Sequence, residues 1–114
     1  MNLFERFKHT FDGCIALIQK DKNYIIHVLI AIIVVIFGFI HNLTSTEWLF
    51  ITTAIILVLL TEAINTAIET TVDLVTHKYH PLAKQAKDIS AFAVLIASIY
   101  AVIVALIIFV PYWI

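Results

Sequence analysis

From Tyr24 to Ile40, and again from Ile89 to Val110, no aspartate, glutamate, lysine or arginine interrupts a run of apolar residues. A third run opens at Trp48 and stays uncharged as far as Thr61. The first two runs are long enough to cross the hydrocarbon core of a bilayer as helices, the third becomes so once its polar-striped end to about Asp73 is included, and in lipid a spanning backbone must satisfy its own hydrogen bonds. The chain is therefore expected to be an all-α integral membrane protein with spans at about 24–40, 48–73 and 89–110. Composition agrees: 62% hydrophobic and 13% charged residues, with a mean hydropathy of +1.03, lie far from the values of a soluble domain. A net charge of −1 gives no reason to expect a nucleic-acid partner, and the lone Cys14 excludes an internal disulfide and matches no zinc spacing.

Residues 1–22 are different. Leu3, Phe4, Phe7, Phe11, Ile15 and Ile18 recur at helical spacing among charged residues, the pattern of an amphipathic helix lying on a membrane surface. No small-residue cleavage site follows, so this segment is expected to stay attached. With no repeats and no linker, residues 1–114 read as one membrane-embedded domain.

Lysine and arginine occur only before the first span and between the second and third. The N-terminus and the 76–88 segment should accordingly be cytoplasmic, and the 41–47 turn and the C-terminus external, with Trp48, Tyr112 and Trp113 as outer interfacial anchors.

The chemistry gathers at the inner end of the second span, in EAINTAIETTVD. Glu62, Asn65, Glu69 and Asp73 follow one another at spacings of three, four and four, which places them on one stripe of a helix. At ~1.5 Å per residue Glu62 stands about 21 Å in from Trp48, inside the hydrocarbon yet near its cytoplasmic boundary. A carboxylate at such depth is costly and marks function. Beyond the stripe come His80, Lys87 and Asp88. Carboxylates, a carboxamide and a lysine at one membrane–water boundary are the parts that hold a divalent cation and a polyphosphate. Gly13 and Gly38 are the only glycines, so neither a P-loop nor a kinase glycine-rich loop can form.

In EAINTAIETTVD, the Tyr79-His80 pair and AKDISAFAVLI from Ala86 to Ile96, the chain resembles the small prokaryotic diacylglycerol kinases, including the Gram-positive branch that acts as undecaprenol kinase. The Glu47-Trp48-Leu49-Phe50 turn and the Asn23-to-His27 spacing look more like that branch. The resemblance implies a homotrimer in the bacterial cell membrane, with active sites shared between neighbouring subunits. ATP and Mg2+ would bind at the cytoplasmic face, and a lipid alcohol would enter from the bilayer. It assigns the catalytic base to Glu62, nucleotide contacts to Asn65, Asp73, His80, Lys87 and Asp88, and a metal ligand to Glu69. The family's second metal carboxylate is a glutamate in the surface helix, for which the best match is Asp21, eight residues after Gly13 and one methylene shorter. Thr10 also departs from the small residue expected in that helix. The expected reaction is ATP- and Mg2+-dependent phosphorylation of undecaprenol, with diacylglycerol as the alternative acceptor. From another class, a small proton-coupled transporter could use Glu62 but would not require Asp73, Lys87 and Asp88.

Overall fold

The computed structural model describes all 114 residues as four helices, α1 (Leu3–Lys20), α2 (Lys22–Ile40), α3 (Ser45–Val75) and α4 (Pro81–Trp113). α2, α3 and α4 are each long and apolar enough to cross a membrane, which makes this a multi-pass membrane protein. The four helices together occupy a slab of 52 × 39 × 20 Å.

Short polar residues set the boundaries. Asn2 caps α1 by accepting from the Glu5 N–H at 2.8 Å. Asp21 serves two helices at once: its N–H donates to the Leu17 carbonyl at 2.9 Å, closing α1, while its Oδ1 accepts from the Asn23 N–H at 2.9 Å, opening α2. Between α2 and α3, Asn42 takes a left-handed φ of 53°, a conformation asparagine tolerates. Thr44 and Glu47 then form a reciprocal capping box.

The helix that carries the third apolar run begins earlier than the run itself. Pro81 occupies the first turn of α4 and His80 Nδ1 accepts from the Leu82 N–H at 3.1 Å, so the connection is only 76–80 and residues 81–88 are helical. Charge delimits the apolar part of a helix, whereas caps delimit the helix. Asp88 consequently lies in the second turn, not at the helix start. For the same reason α3 runs two residues beyond Asp73.

Packing centres on the α3–α4 pair. Ile51, Ala54, Val104, Ile108 and Phe109 form its buried centre with Leu43, and Ala97, Ala101 and Ala105 keep the α4 face low enough for close approach. At the same end, Tyr112 donates to Glu47 at 2.6 Å and Trp113 Nε1 to His41 Nε2 at 2.8 Å, clasping the α4 terminus to the α2–α3 turn. α2 packs more sparsely on α3. Gly38 makes its closest approach: a Cβ there would stand 2.5 Å from the Trp48 indole. Outward-facing isoleucines along α2, and Phe4, Phe7 and Phe11 along α1, remain exposed.

The length of α3 positions the polar stripe. Its 31 residues extend about 46 Å, well over the ~30 Å of hydrocarbon. With Trp48 at one interface, about twenty residues cross the bilayer, so Glu62 falls inside and Glu69 and Asp73 fall at the opposite water boundary.

Candidate active site

Polar side chains form three tiers along α3, rising roughly 16 Å from Glu62 to Asp73. The deepest contains Glu62, 7% exposed, with Thr66 buried one turn on. Asp21 reaches this tier from the α1–α2 junction: Thr66 Oγ1 donates to its Oδ2 at 2.8 Å, and the Glu62 carboxyl lies against it. Burial pushes the Asp21 carboxyl upward, but its contacts with the Glu62 carboxyl, the Thr66 hydroxyl and the backbone N–H groups of Asn23 and Tyr24 outweigh that and hold it below its ordinary value. His27 Nε2 approaches Glu62 Oε2 at 3.8 Å from α2.

The middle tier is Asn65 and Glu69 with Ser90 of α4. Asn65 Nδ2 donates to Glu69 Oε1 at 3.1 Å, and Ser90 Oγ donates to Asn65 Oδ1 at 2.6 Å. Asn65 and Ser90 are both buried.

The third tier opens to water. Lys87 Nζ reaches Asp73 Oδ1 at 2.7 Å across the α3–α4 seam, and Lys84 Nζ pairs with Asp88 Oδ2 at 2.6 Å within α4. Both pairs are well exposed and add little to stability. Asp73, His80, Lys84, Lys87 and Asp88 line one polar depression of about 230 Å3. His80 spends Nδ1 on capping α4.

The structure thus brings Asp73, His80, Lys87 and Asp88 together in the outer depression, Asn65 and Glu69 together below it, and Glu62 and Asp21 together at the base. It does not gather three carboxylate, histidine or cysteine groups into a metal cage within one chain. Asp21 meets Thr66 and Glu62, one tier below Glu69. Magnesium needs only one or two protein carboxylates, filling its shell with water and phosphate oxygens, so the all-oxygen donors present suit it. Three contacts escaped the sequence reading as site features. Nothing local in the sequence ties Ser90 or His27 to the acidic stripe, and Thr66 was legible only through its i+4 relation to Glu62.

A ladder of carboxylates, carboxamide and lysine crossing from apolar interior to water marks a small integral membrane enzyme that works at the lipid–water boundary. The chain belongs to the prokaryotic diacylglycerol kinase family, whose model matches residues 8–109, and it is a lipid kinase. It is 41% identical over 108 residues to the undecaprenol kinase of Bacillus subtilis (strain 168), covering 95% of this chain and 88% of that protein. It is 36% identical over 104 residues to a diacylglycerol kinase of Synechocystis, covering 90% of this chain and 59% of that one. A 50-residue stretch, 44% of this chain, is 48% identical to the diacylglycerol kinase of Escherichia coli (strain K12), covering 41% of it. Family membership sets the transporter alternative aside.

Proposed function

We propose that this enzyme transfers the γ-phosphoryl group of ATP to the hydroxyl of undecaprenol at the cytoplasmic face of the bacterial cell membrane, as a Mg2+-dependent homotrimer. The near full-length similarity to an undecaprenol kinase is the observation that carries the acceptor assignment.

The tiers divide the work. Glu62, buried just below the headgroup plane, takes the hydroxyl proton as the lipid oxygen bonds to the γ-phosphorus. The bond from that phosphorus to the β–γ bridging oxygen breaks, and ADP leaves. Lys87, exchanging its Asp73 partner for phosphate oxygens, steadies charge on the nucleotide from the outer depression. Asn65, Asp73, His80 and Asp88 complete the nucleotide contacts. Glu69 and Asp21 would hold Mg2+, which when bound neutralises phosphate charge. Phosphoryl transfer asks chiefly for positioning and charge neutralisation, so a site without a glycine-rich loop is adequate.

The positive-inside distribution supports the orientation, with Lys78, Lys84 and Lys87 on the nucleotide side. Sparse packing of α2 and the broad exposed apolar faces support association of three chains, and α1 with its phenylalanines suits the membrane surface.

Competition decides the acceptor. Purified enzyme given undecaprenol and diacylglycerol together, with labelled ATP and Mg2+, should show the higher kcat/KM for undecaprenol. A higher value for diacylglycerol would overturn the acceptor assignment and leave the lipid kinase intact.

A further inference from the structure

We infer that Ser90 is a positioning residue of this kinase: its hydroxyl locks the Asn65 carboxamide so that the amide NH2 group faces Glu69. The inference rests on the assignment of Asn65 and Glu69 to the nucleotide–metal end of the site.

The argument is one of hydrogen-bond direction. An ionised Glu69 can only accept, so the Asn65 group turned toward it must be the NH2. That leaves Asn65 Oδ1 pointing at α4, in a place where Asn65 is 8% and Ser90 6% exposed and water is largely excluded. A carbonyl oxygen there needs a donor, and Ser90 Oγ supplies one at 2.6 Å. The reversed amide would set an oxygen against the Glu69 carboxylate. The two hydrogen bonds that link Ser90, Asn65 and Glu69 therefore run in one consistent direction, and reversing either breaks the other.

Ser90 has a second acceptor within reach, the Lys87 carbonyl at 3.0 Å, the usual partner of a helical serine. Its single proton goes to the shorter contact. The hydroxyl thereby ties the α4 turn that carries Lys87 to the α3 turn that carries Asn65, in register with the Lys87–Asp73 contact at 2.7 Å one tier above. Removing the hydroxyl leaves a buried carbonyl without a donor and an amide free to rotate, and the loss should fall on whatever Glu69 and Asn65 bind.

The expected consequence is selective. Ser90→Ala should raise KM for Mg-ATP and the Mg2+ half-saturation by about five- to tenfold, the order expected when a buried hydrogen bond loses its donor. KM for the lipid alcohol should stay within about twofold, since the deepest tier is untouched. Ser90→Thr restores a hydroxyl at the same γ position and should recover most of the nucleotide affinity.

Steady-state kinetics of full-length enzyme in mixed micelles, varying ATP, Mg2+ and lipid separately, tests this with Asn65→Ala and the Ser90→Ala/Asn65→Ala double variant alongside. In the Asn65→Ala background, Ser90→Ala should add less than about twofold, because the group it positions is gone. Unchanged KM values for Ser90→Ala would overturn the inference. So would equal losses toward ATP and lipid, or a full additional loss in the double variant, either of which would mark a general packing role. If Asn65→Ala itself leaves KM for Mg-ATP unchanged while Ser90→Ala raises it, the assignment of Asn65 fails and the positioning role with it.

Discussion

Glu62 and Glu69 stand two turns apart on one helix but in different surroundings, and substitution should separate them. Glu62→Gln keeps the shape of the deepest tier and removes its proton acceptor, so nucleotide and Mg2+ binding should persist while kcat falls by roughly 10²-fold or more. Near-normal turnover at saturating lipid would disprove the base assignment. Glu69→Gln should instead weaken Mg-ATP binding. Asp21 poses a finer problem, because it caps α2 and bonds Thr66 as well as standing where the family's second metal carboxylate is expected. Asp21→Asn preserves the cap, since asparagine is as good an N-cap, and its NH2 can donate to the Thr66 hydroxyl. If Asp21 ligates Mg2+, Asp21→Asn should raise the Mg2+ requirement by about tenfold or more, while Asp21→Glu keeps activity. An unchanged half-saturation in Asp21→Asn would confine Asp21 to capping. The Asp21 carboxyl also titrates below its ordinary value of 3.8. A group lowered on folding contributes stability that is complete above its unfolded pKa and lost as pH falls through the folded one. Wild type should therefore lose more thermal stability than Asp21→Asn between about pH 5 and pH 3.

At the scale of elements, two junctions hold α2, α3 and α4 in register. Gly38 lets α2 approach the Trp48 indole so closely that an added Cβ would stand at 2.5 Å, and Trp48 is itself packed on Phe39 with ring centroids 4.9 Å apart. Gly38→Ala should gain roughly 1 kcal/mol of helix propensity but lose about 1–3 kcal/mol to overpacking, a net fall in thermal stability in detergent. Trp48→Leu in the same chain should relieve that fall, and strictly additive losses would show that the two residues do not collide. At the other junction His80 caps α4 while lining the outer depression. His80→Asn replaces the capping ring nitrogen with a side-chain oxygen and shortens the side chain, so stability should hold within about 0.5 kcal/mol while KM for ATP rises if His80 contacts the nucleotide. Equal KM values would leave His80 as a cap alone.

Across the whole molecule, a slab of 20 Å thickness presents apolar residues on most of its surface, which lipid covers wherever a subunit of the proposed trimer does not. The acidic tiers lie along the α3 seam rather than inside an enclosed cavity. If neighbouring subunits share active sites, co-assembling Glu62→Gln chains with Lys87→Ala chains should restore activity well above the sum of the two variants assembled separately. Activity no greater than that sum would place Glu62 and Lys87 of each site in one chain.

Membrane class, three spans and the stripe from Glu62 to Asp73 were legible in the residues because each depends on local physics: uncharged length, the 3.6-residue period and the cost of burying a carboxylate in lipid. The resemblance in EAINTAIETTVD and AKDISAFAVLI carried the family. Helix ends were read less well, since α4, capped by His80, starts at Pro81, eight residues before the uncharged run does. What tertiary structure alone decided is which polar groups meet. Asp21 reaches Thr66 across 45 positions of sequence, and Ser90 reaches Asn65 across 25, because α2 and α4 fold against the same stretch of α3. Spacing reports neighbours on one helix. It says nothing of the partner a residue finds on another, and in this protein those partnerships orient the groups that the stripe only supplies.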